Sequence, residues 1–218
     1  MQKLFPLAVV LAAILFAYAP VAIARAPLES TMGLVQKIFY FHVPSWFAMF
    51  FSTFVCGIAS TVFLFRRRRG ADALAAAAGE LVVVFGLIGL LTGPLWARRA
   101  WGVWWQWDAK LTTALVLWLI FVAYLLLRRY GGPGSERLAA GLALFGMANV
   151  PFVYWSVHIW RTVHPLTTVV PTLPAPMAGP LWLGVFAFLT LNLILLALRT
   201  RLEQLRRELD DAYLALEQ

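Results

Sequence analysis

The stretch that dominates this sequence is Trp101-Gly102-Val103-Trp104-Trp105-Gln106-Trp107-Asp108. A helix through it would put four side chains on one face, at i, i+3, i+4 and i+7: Trp101, Trp104, Trp105 and Asp108. Trp107 would lie at the edge of that face. Such a face is a flat aromatic platform with a polar rim, which suits a large planar apolar ligand. The alternative is a belt of interfacial tryptophans at the headgroup level of a membrane. A belt needs one or two tryptophans per helix end, so the cluster favours the ligand platform.

The composition is that of a membrane protein. Of the 218 residues, 62% are hydrophobic and only 13% are charged, which is too little charge for a soluble domain of this length. The net charge of +8 does not indicate nucleic acid, because the cations cluster at the ends of apolar runs, where they set topology. The single cysteine, Cys56, lies inside an apolar run and is interpreted as a small buried hydrophobe. The predicted environment is therefore the lipid membrane, with no nucleic acid partner.

Six apolar runs approach the roughly 20 residues that a spanning helix needs. They lie at about 4–23, 44–65, 81–97, 111–127, 138–157 and 181–198. The predicted fold is an all-α integral membrane protein with six transmembrane helices. None of these runs contains Asp, Glu, Lys or Arg, which weighs against an ion-coupled pump. The first run has a short positive start at Lys3 and resembles a signal peptide, but it is longer than a typical signal core, so we favour a retained helix.

The distribution of cations predicts the orientation. One side of the membrane would hold twelve of them and the other side six: Arg25, Lys37, Arg98, Arg99, Lys110 and Arg161. The richer side is cytoplasmic by the positive-inside rule, which places both termini inside. The tryptophan segment, residues 101–108, is then external, between the third and fourth helices.

The chain is predicted to form two parts. Residues 1–198 form the membrane domain, with external loops at about 25–43, 98–110 and 158–180. Residues 199–218 form an amphipathic cytoplasmic helix, either solvated or docked on a partner. Pro44 is expected to start the second helix, Gly89 and Gly93 to permit close helix packing, and Arg66 to Arg69 to act as a topological stop signal.

All three histidines, His42, His158 and His164, fall on the predicted outer side. A planar macrocycle needs aromatic walls, its iron needs imidazole nitrogens, and its propionates need cations or backbone donors. The same side supplies tryptophans, histidines on two separate loops, and the six cations named above except Arg25. No cysteine or carboxylate cluster favours zinc. These residues predict a haem site, although for His158 an ordinary interfacial side chain is the favoured interpretation.

Three motifs carry a family resemblance: 101–108 with its continuation Ala109-Lys110-Leu111-Thr112, Tyr40-Phe41-His42-Val43-Pro44, and Trp160-Arg161-Thr162-Val163-His164. The first resembles the WWD segment of the haem-handling membrane proteins of cytochrome c biogenesis. The other two are similar to the flanking motifs of one branch, the haem exporter protein C family, CcmC. The resemblance extends over essentially the whole chain in span number, loop order and length.

The resemblance implies a multi-pass protein of the bacterial inner membrane that holds haem b non-covalently at the periplasmic or external face. It implies His42 and His164 as axial ligands of the haem iron, with the tryptophan segment against the ring. The family pattern is commonly acidic at position 158, whereas this chain has a histidine there. This extra imidazole makes His158 an alternative ligand. The predicted cofactor-binding residues are His42, His164, Trp101, Trp104, Trp105, Trp107, Asp108, Arg99 and Lys110. Asp108 is expected to orient the segment through hydrogen bonds to backbone or to Arg99, since a carboxylate is a poor neighbour for propionates.

The resemblance also implies partners. Members present haem to the chaperone CcmE and work with an ATPase subunit, CcmA, a second membrane subunit, CcmB, and a small single-span subunit, CcmD. The chain has no phosphate-binding glycine loop with its lysine, so it is predicted not to be an enzyme, with ATP hydrolysis on a partner. Two alternatives remain. One is a haem-b subunit of a quinol-oxidising complex, which usually buries its histidines inside spans; the other is a permease subunit without haem, whose tryptophans form only a belt.

The six-helix topology predicts where tags become accessible. Tags at Gly134 and at the C-terminus are expected in the cytoplasm, and a tag near Pro174 outside, because an odd number of crossings separates Gly134 from Pro174. Accessibility labelling of intact cells measures this. Gly134 and Pro174 on the same side would contradict the six-span fold.

Overall fold

A computed structural model describes residues 4–216, which are almost entirely helical. The six long helices are α1 (Leu4–Arg25), α2 (Phe39–Arg66), α3 (Arg69–Trp101), α4 (Ala109–Tyr130), α5 (Ser135–Ile159) and α6 (Ala175–Leu216). Short 3-10 helices lie at Leu34–Ile38 and Thr167–Val169. All six long helices are long and apolar enough to cross a membrane, which confirms the predicted all-α fold with six transmembrane helices. Lys3 and the last two residues of the predicted tail lie outside the described residues.

The helices are longer than the predicted apolar runs, because they continue through charged residues at their ends. The clearest case is α6, a single helix of 42 residues. Between Arg199 and Leu216 the sequence has neither glycine nor proline, so nothing interrupts the backbone hydrogen bonds where the apolar run stops. The predicted tail is therefore continuous with the sixth helix.

The second helix begins earlier than predicted. Pro44 was expected to start it, but α2 begins at Phe39 and contains Pro44, so this prediction is wrong. The 3-10 helix at Leu34–Ile38 leads directly into α2. Proline lacks the N–H that would bond to the carbonyl of Tyr40. Helix α6 lies close to α2 at this point: a Cβ on Gly184 of α6 would be 3.0 Å from the carbonyl oxygen of Tyr40.

The core lies between α2 and the helices packed around it, chiefly α3, α5 and α6. Its largest fully buried side chains include Met49, Phe85 and Tyr124. Cys56 is fully buried in this core, and its Sγ donates to the carbonyl of Ala75 at 3.2 Å. The prediction that Cys56 is a small buried side chain is confirmed.

An ion cluster joins α3, α4 and α6 at the end of the bundle opposite the tryptophan segment. Asp72, which is buried, accepts two hydrogen bonds from Arg128, at 2.7 and 3.1 Å, and one from Arg207 at 2.5 Å. Arg69 forms a second, solvent-exposed ion pair nearby, with Asp211 at 2.5 Å. Arg207 and Asp211 of the tail thus bind residues of α3. The leucines of the tail, Leu202, Leu205 and Leu209, are exposed. Arg69 has a structural contact in addition to the topological role predicted for its loop.

Replacement of Asp72 by Ala is expected to lower the free energy of unfolding by about 3–5 kcal/mol, because it leaves Arg128 buried without its carboxylate. The matched control is Asp211→Ala, which removes an exposed ion pair and is expected to cost less than about 1 kcal/mol. Denaturation of the purified protein in detergent measures both. Equal losses in the two variants would contradict a structural role for the buried cluster.

Candidate functional site

The tryptophan segment is not helical. Helix α3 ends at Trp101, and Gly102 follows with a φ of 78°, in the left-handed region that favours glycine. The chain then runs irregularly to Asp108, the N-cap of α4, whose Oδ1 accepts a hydrogen bond from the backbone N–H of Leu111 at 2.8 Å. The predicted single helical face is therefore wrong. The C-cap Gly102 ends α3 and the N-cap Asp108, six residues later, precedes α4. The residues between these caps therefore form an irregular connection.

His42 lies in the first turn of α2, buried between two tryptophan rings. The ring centroids of Trp46 and Trp96 are 6.2 and 6.1 Å from that of the imidazole, both edge-on. Its Nδ1 is 3.0 Å from Oγ1 of Thr92 on α3. The ring of His42 is thus hydrogen-bonded to one side chain, that of Thr92, and has aromatic contacts on two sides.

His164 lies in the loop between α5 and α6, and Asp108 fixes that loop. Oδ2 of Asp108 accepts hydrogen bonds from the hydroxyl of Thr162 and, at 3.1 Å, from the backbone N–H of Val163. The Thr162 Oγ1 in turn accepts from the N–H of His164 at 3.1 Å. The predicted hydrogen bonds of Asp108 to backbone are confirmed; Arg99 is not among the partners in the described part of the chain. Asp108 therefore ties the tryptophan segment to the histidine loop and does not line the cavity described below.

A chain of aromatic contacts joins the two histidines. The Trp101 ring lies 6.5 Å from that of Trp96 and 6.3 Å from that of His164. His42 and His164 line one cavity of about 320 Å³, within the range of small-molecule sites. The other lining residues that bear on a ligand are Trp46, Trp96, Trp101, Trp104, Trp105, Lys110, Gly89 and Gly93. The cavity is thus apolar and aromatic, with two imidazoles and one ammonium.

Of the cations predicted on this side, Lys110 is the one that lines the cavity. Its Nζ donates to the carbonyl of Val153 at 2.8 Å, which leaves two of its three donor positions for other acceptors. Lys37 instead donates to the carbonyl of Ile23 at 2.6 Å. Arg98 lies over the Trp104 ring, 6.0 Å from its centroid, and Arg99 is exposed and does not line the cavity.

The tryptophans of the segment have different environments. Trp105 lines the cavity, and its indole Nε1 is buried without a hydrogen-bond partner among the described residues. Trp104 lines the cavity rim and is 57% exposed. Trp107 packs edge-on against Trp105, with centroids 5.7 Å apart, is 75% exposed and does not line the cavity. An unpartnered buried donor costs free energy, and the Trp105 N–H has no acceptor among the described residues.

The third histidine stands apart. His158, in the last turn of α5, is exposed, and its Nε2 is 2.7 Å from Oγ1 of Thr167. It does not line the cavity. Its favoured interpretation as a surface side chain agrees with this placement.

Three residues of the site escaped prediction: Trp46, Trp96 and Thr92. Trp46 follows His42 by one helical turn, a spacing that puts both on one face. Gly89 in α3 was a second indication that a large side chain packs against this helix, since a Cβ there would come within 2.7 Å of the Trp46 indole. The two glycines of α3 were interpreted as generic packing, but Gly89 makes room for Trp46, and a Cβ on Gly93 would be 3.4 Å from His42.

Burial, and then the charge of Lys110, lower the pKa of His164 from its ordinary range to about 4. Its Nδ1 is 2.8 Å from the carbonyl oxygen of Pro165. Since a carbonyl only accepts hydrogen bonds, Nδ1 carries the hydrogen and the neutral ring keeps its lone pair on Nε2. At neutral pH this imidazole has the form that binds a metal.

Residues 1–215 match the family described as Heme exporter protein C. The protein of that name from Bradyrhizobium diazoefficiens is 36% identical over 84% of this chain and 72% of its own length. Those of Escherichia coli K12 and Haemophilus influenzae are 33% and 31% identical, over 81% and 94% of this chain and 73% and 87% of theirs. With a family match over almost its full length, the chain belongs to the haem exporter protein C family, CcmC.

Proposed function

We propose that this chain binds haem b non-covalently between His42 and His164 and presents it to a periplasmic haem chaperone during c-type cytochrome biogenesis. The observation that carries the proposal is the pair of imidazoles from two separate elements on one tryptophan-lined cavity. An iron porphyrin needs both features, axial nitrogens and flat aromatic walls. The family name of the relatives, which refers to haem export, points to the same ligand.

The polar groups of the cavity suit the carboxylates of haem. Lys110 supplies a charge with free donor positions, and Trp105 supplies an N–H that lacks an acceptor. Charge-assisted hydrogen bonds to carboxylate are stronger than neutral ones. Cys56 is buried in the core of the bundle and does not line the cavity, which supports non-covalent binding.

Delivery suits this site better than electron transfer across a bilayer. Both histidines lie at one end of the bundle, His42 in the first turn of α2 and His164 in a loop. A subunit that carries electrons across a membrane places its haems within the spans. A site on a loop at the end of the helices gives another protein access to the haem edge, and the distribution of cations supports the periplasmic side for that end.

The exposed indoles offer a contact surface for the recipient. Trp104 and Trp107 are 57% and 75% exposed, and aromatic side chains are enriched where proteins bind each other. We assign the recipient as CcmE. We propose that the chain works as a membrane subunit of an ABC-type complex with CcmA, CcmB and CcmD, in which CcmA hydrolyses ATP, while this chain binds haem without catalysing a reaction. The complex is expected in the bacterial inner membrane.

The axial pair is tested by single substitutions. His42→Ala and His164→Ala are each expected to weaken haem binding by more than the roughly 10–100-fold that loss of an outer-shell partner costs a metal site. His158→Ala is the matched control and is expected to retain haem, because His158 lies outside the cavity. Absorption spectra and haem titration of the purified proteins measure this. Loss of haem only in His158→Ala would overturn the assignment of ligands.

The presenting role is tested at Trp107, which is exposed and does not line the cavity. Trp107→Ala removes one aromatic contact with Trp105, worth about 0.5–1.5 kcal/mol, so haem affinity is expected to fall by about tenfold or less. Transfer of haem to CcmE is expected to fall further, because the contact surface is lost. Trp155→Ala, which removes an exposed tryptophan of α5, is the control. Transfer that stays equal in the two variants would reduce the segment to a membrane belt.

A further inference from the structure

The hydroxyl of Thr92 makes three contacts, and together they fix the direction of its hydrogen bonds. Its Oγ1 is 2.7 Å from the carbonyl oxygen of Ile88, 3.3 Å from that of Gly89 and 3.0 Å from Nδ1 of His42. A hydroxyl has one hydrogen to donate, and a carbonyl can only accept. The hydrogen therefore goes to Ile88, and Oγ1 accepts a hydrogen bond from Nδ1–H of His42.

This direction decides the tautomer of His42. A neutral imidazole with its hydrogen on Nδ1 keeps its lone pair on Nε2. We propose that Thr92 is the positioning residue that holds His42 in this tautomer and orientation, so that Nε2 is the atom presented to the haem iron. The inference rests on the proposed function for the identity of the metal, but the tautomer itself does not depend on haem.

The surroundings leave Thr92 as the polar anchor of the ring. Trp46 and Trp96 contact the imidazole edge-on and restrict its rotation without offering an acceptor. Among residues 4–216, Thr92 is the one side chain hydrogen-bonded to the ring of His42, and the backbone carbonyl of Gly89 is a second acceptor close to that ring. Outer-shell partners of this kind set the tautomer and ring orientation of metal-binding histidines.

The bond of Thr92 to its own helix is ordinary, and this provides a control. Threonines in helices often bond to the carbonyl four residues earlier, as Thr61 does to Gly57 at 2.9 Å. What distinguishes Thr92 is the imidazole on its second side. His164 has the same arrangement with a main-chain acceptor, the carbonyl of Pro165, so only the His42 side can be altered by replacing a side chain.

The first measurement uses the wild-type protein without haem. Nitrogen-15 NMR of histidine-labelled protein in detergent distinguishes the two tautomers of neutral imidazole. With His42→Ala to identify the resonance, His42 is expected as the Nδ1–H tautomer. A predominant Nε2–H tautomer in the wild type would overturn the proposal without any Thr92 variant.

The second measurement uses Thr92→Val, which keeps the shape and removes the acceptor, and Thr92→Ser, which restores it. Thr92→Val is expected to shift the tautomer balance and to weaken haem binding by about 10–100-fold, with altered low-spin electron paramagnetic resonance. Thr92→Ser is expected to recover most of both, and Thr61→Val to match the wild type. If Thr92→Val does not fold, Thr92→Ala takes its place in the comparison with Thr92→Ser.

The outcomes separate this proposal from the proposed function. A Thr92→Val protein with wild-type tautomer and wild-type haem affinity would overturn the role of Thr92. Haem binding that survives His42→Ala would overturn the ligand assignment. In that case the NMR of the haem-free protein still decides whether Thr92 fixes the tautomer.

Discussion

The carboxylate of Asp108 is the interaction on which the site depends. One oxygen caps the start of α4, and the other holds the loop that carries His164, through Thr162 and Val163. Hydrogen bonds to an ionised acceptor are roughly twice as strong as neutral ones, and here one side chain joins two segments more than fifty residues apart. Asp108 thus links the tryptophan segment to the loop between α5 and α6 by hydrogen bonds. Without it, the loop that contains His164 would lose its hydrogen bonds to the start of α4, and the contact of Trp101 with the His164 ring would remain.

The two histidines are held by different means, and the difference follows from where they lie. His42 is in a helix, so its position comes from α2, and its orientation from Thr92 and two tryptophan rings. His164 is in a loop, so its position comes from Asp108 and its orientation from the carbonyl of its neighbour. One imidazole on a helix and one on a loop, lining the same cavity, would suit the proposed site, which has to hold haem and release it. The opposite end of the bundle, where Asp72 binds Arg128 and Arg207, keeps the helices in place.

Much of the fold was predictable because lipid imposes a simple requirement. A segment must be apolar for about 20 residues to span a bilayer, and six such runs are evident in the sequence. Helix ends were less predictable, since polar residues continue a helix when no breaker follows, as in α6. The irregular path of residues 102–108 was missed because tryptophan spacing was interpreted as helical despite Gly102. Of the site, the three histidines and Lys110 were expected on one side from residue types, and the choice of His42 and His164 came from the family resemblance. Trp46 and Thr92 were not, because their roles depend on which face of α2 meets α3.

Haem is proposed to lie in the cavity between His42 and His164. Crystals of the haem-loaded protein, measured at the iron absorption edge, would locate the metal directly. One strong iron peak is expected between the Nε2 atoms of His42 and His164, with the indoles of Trp96 and Trp101 beside the porphyrin. A peak bound to His158, or outside this cavity, would contradict this placement.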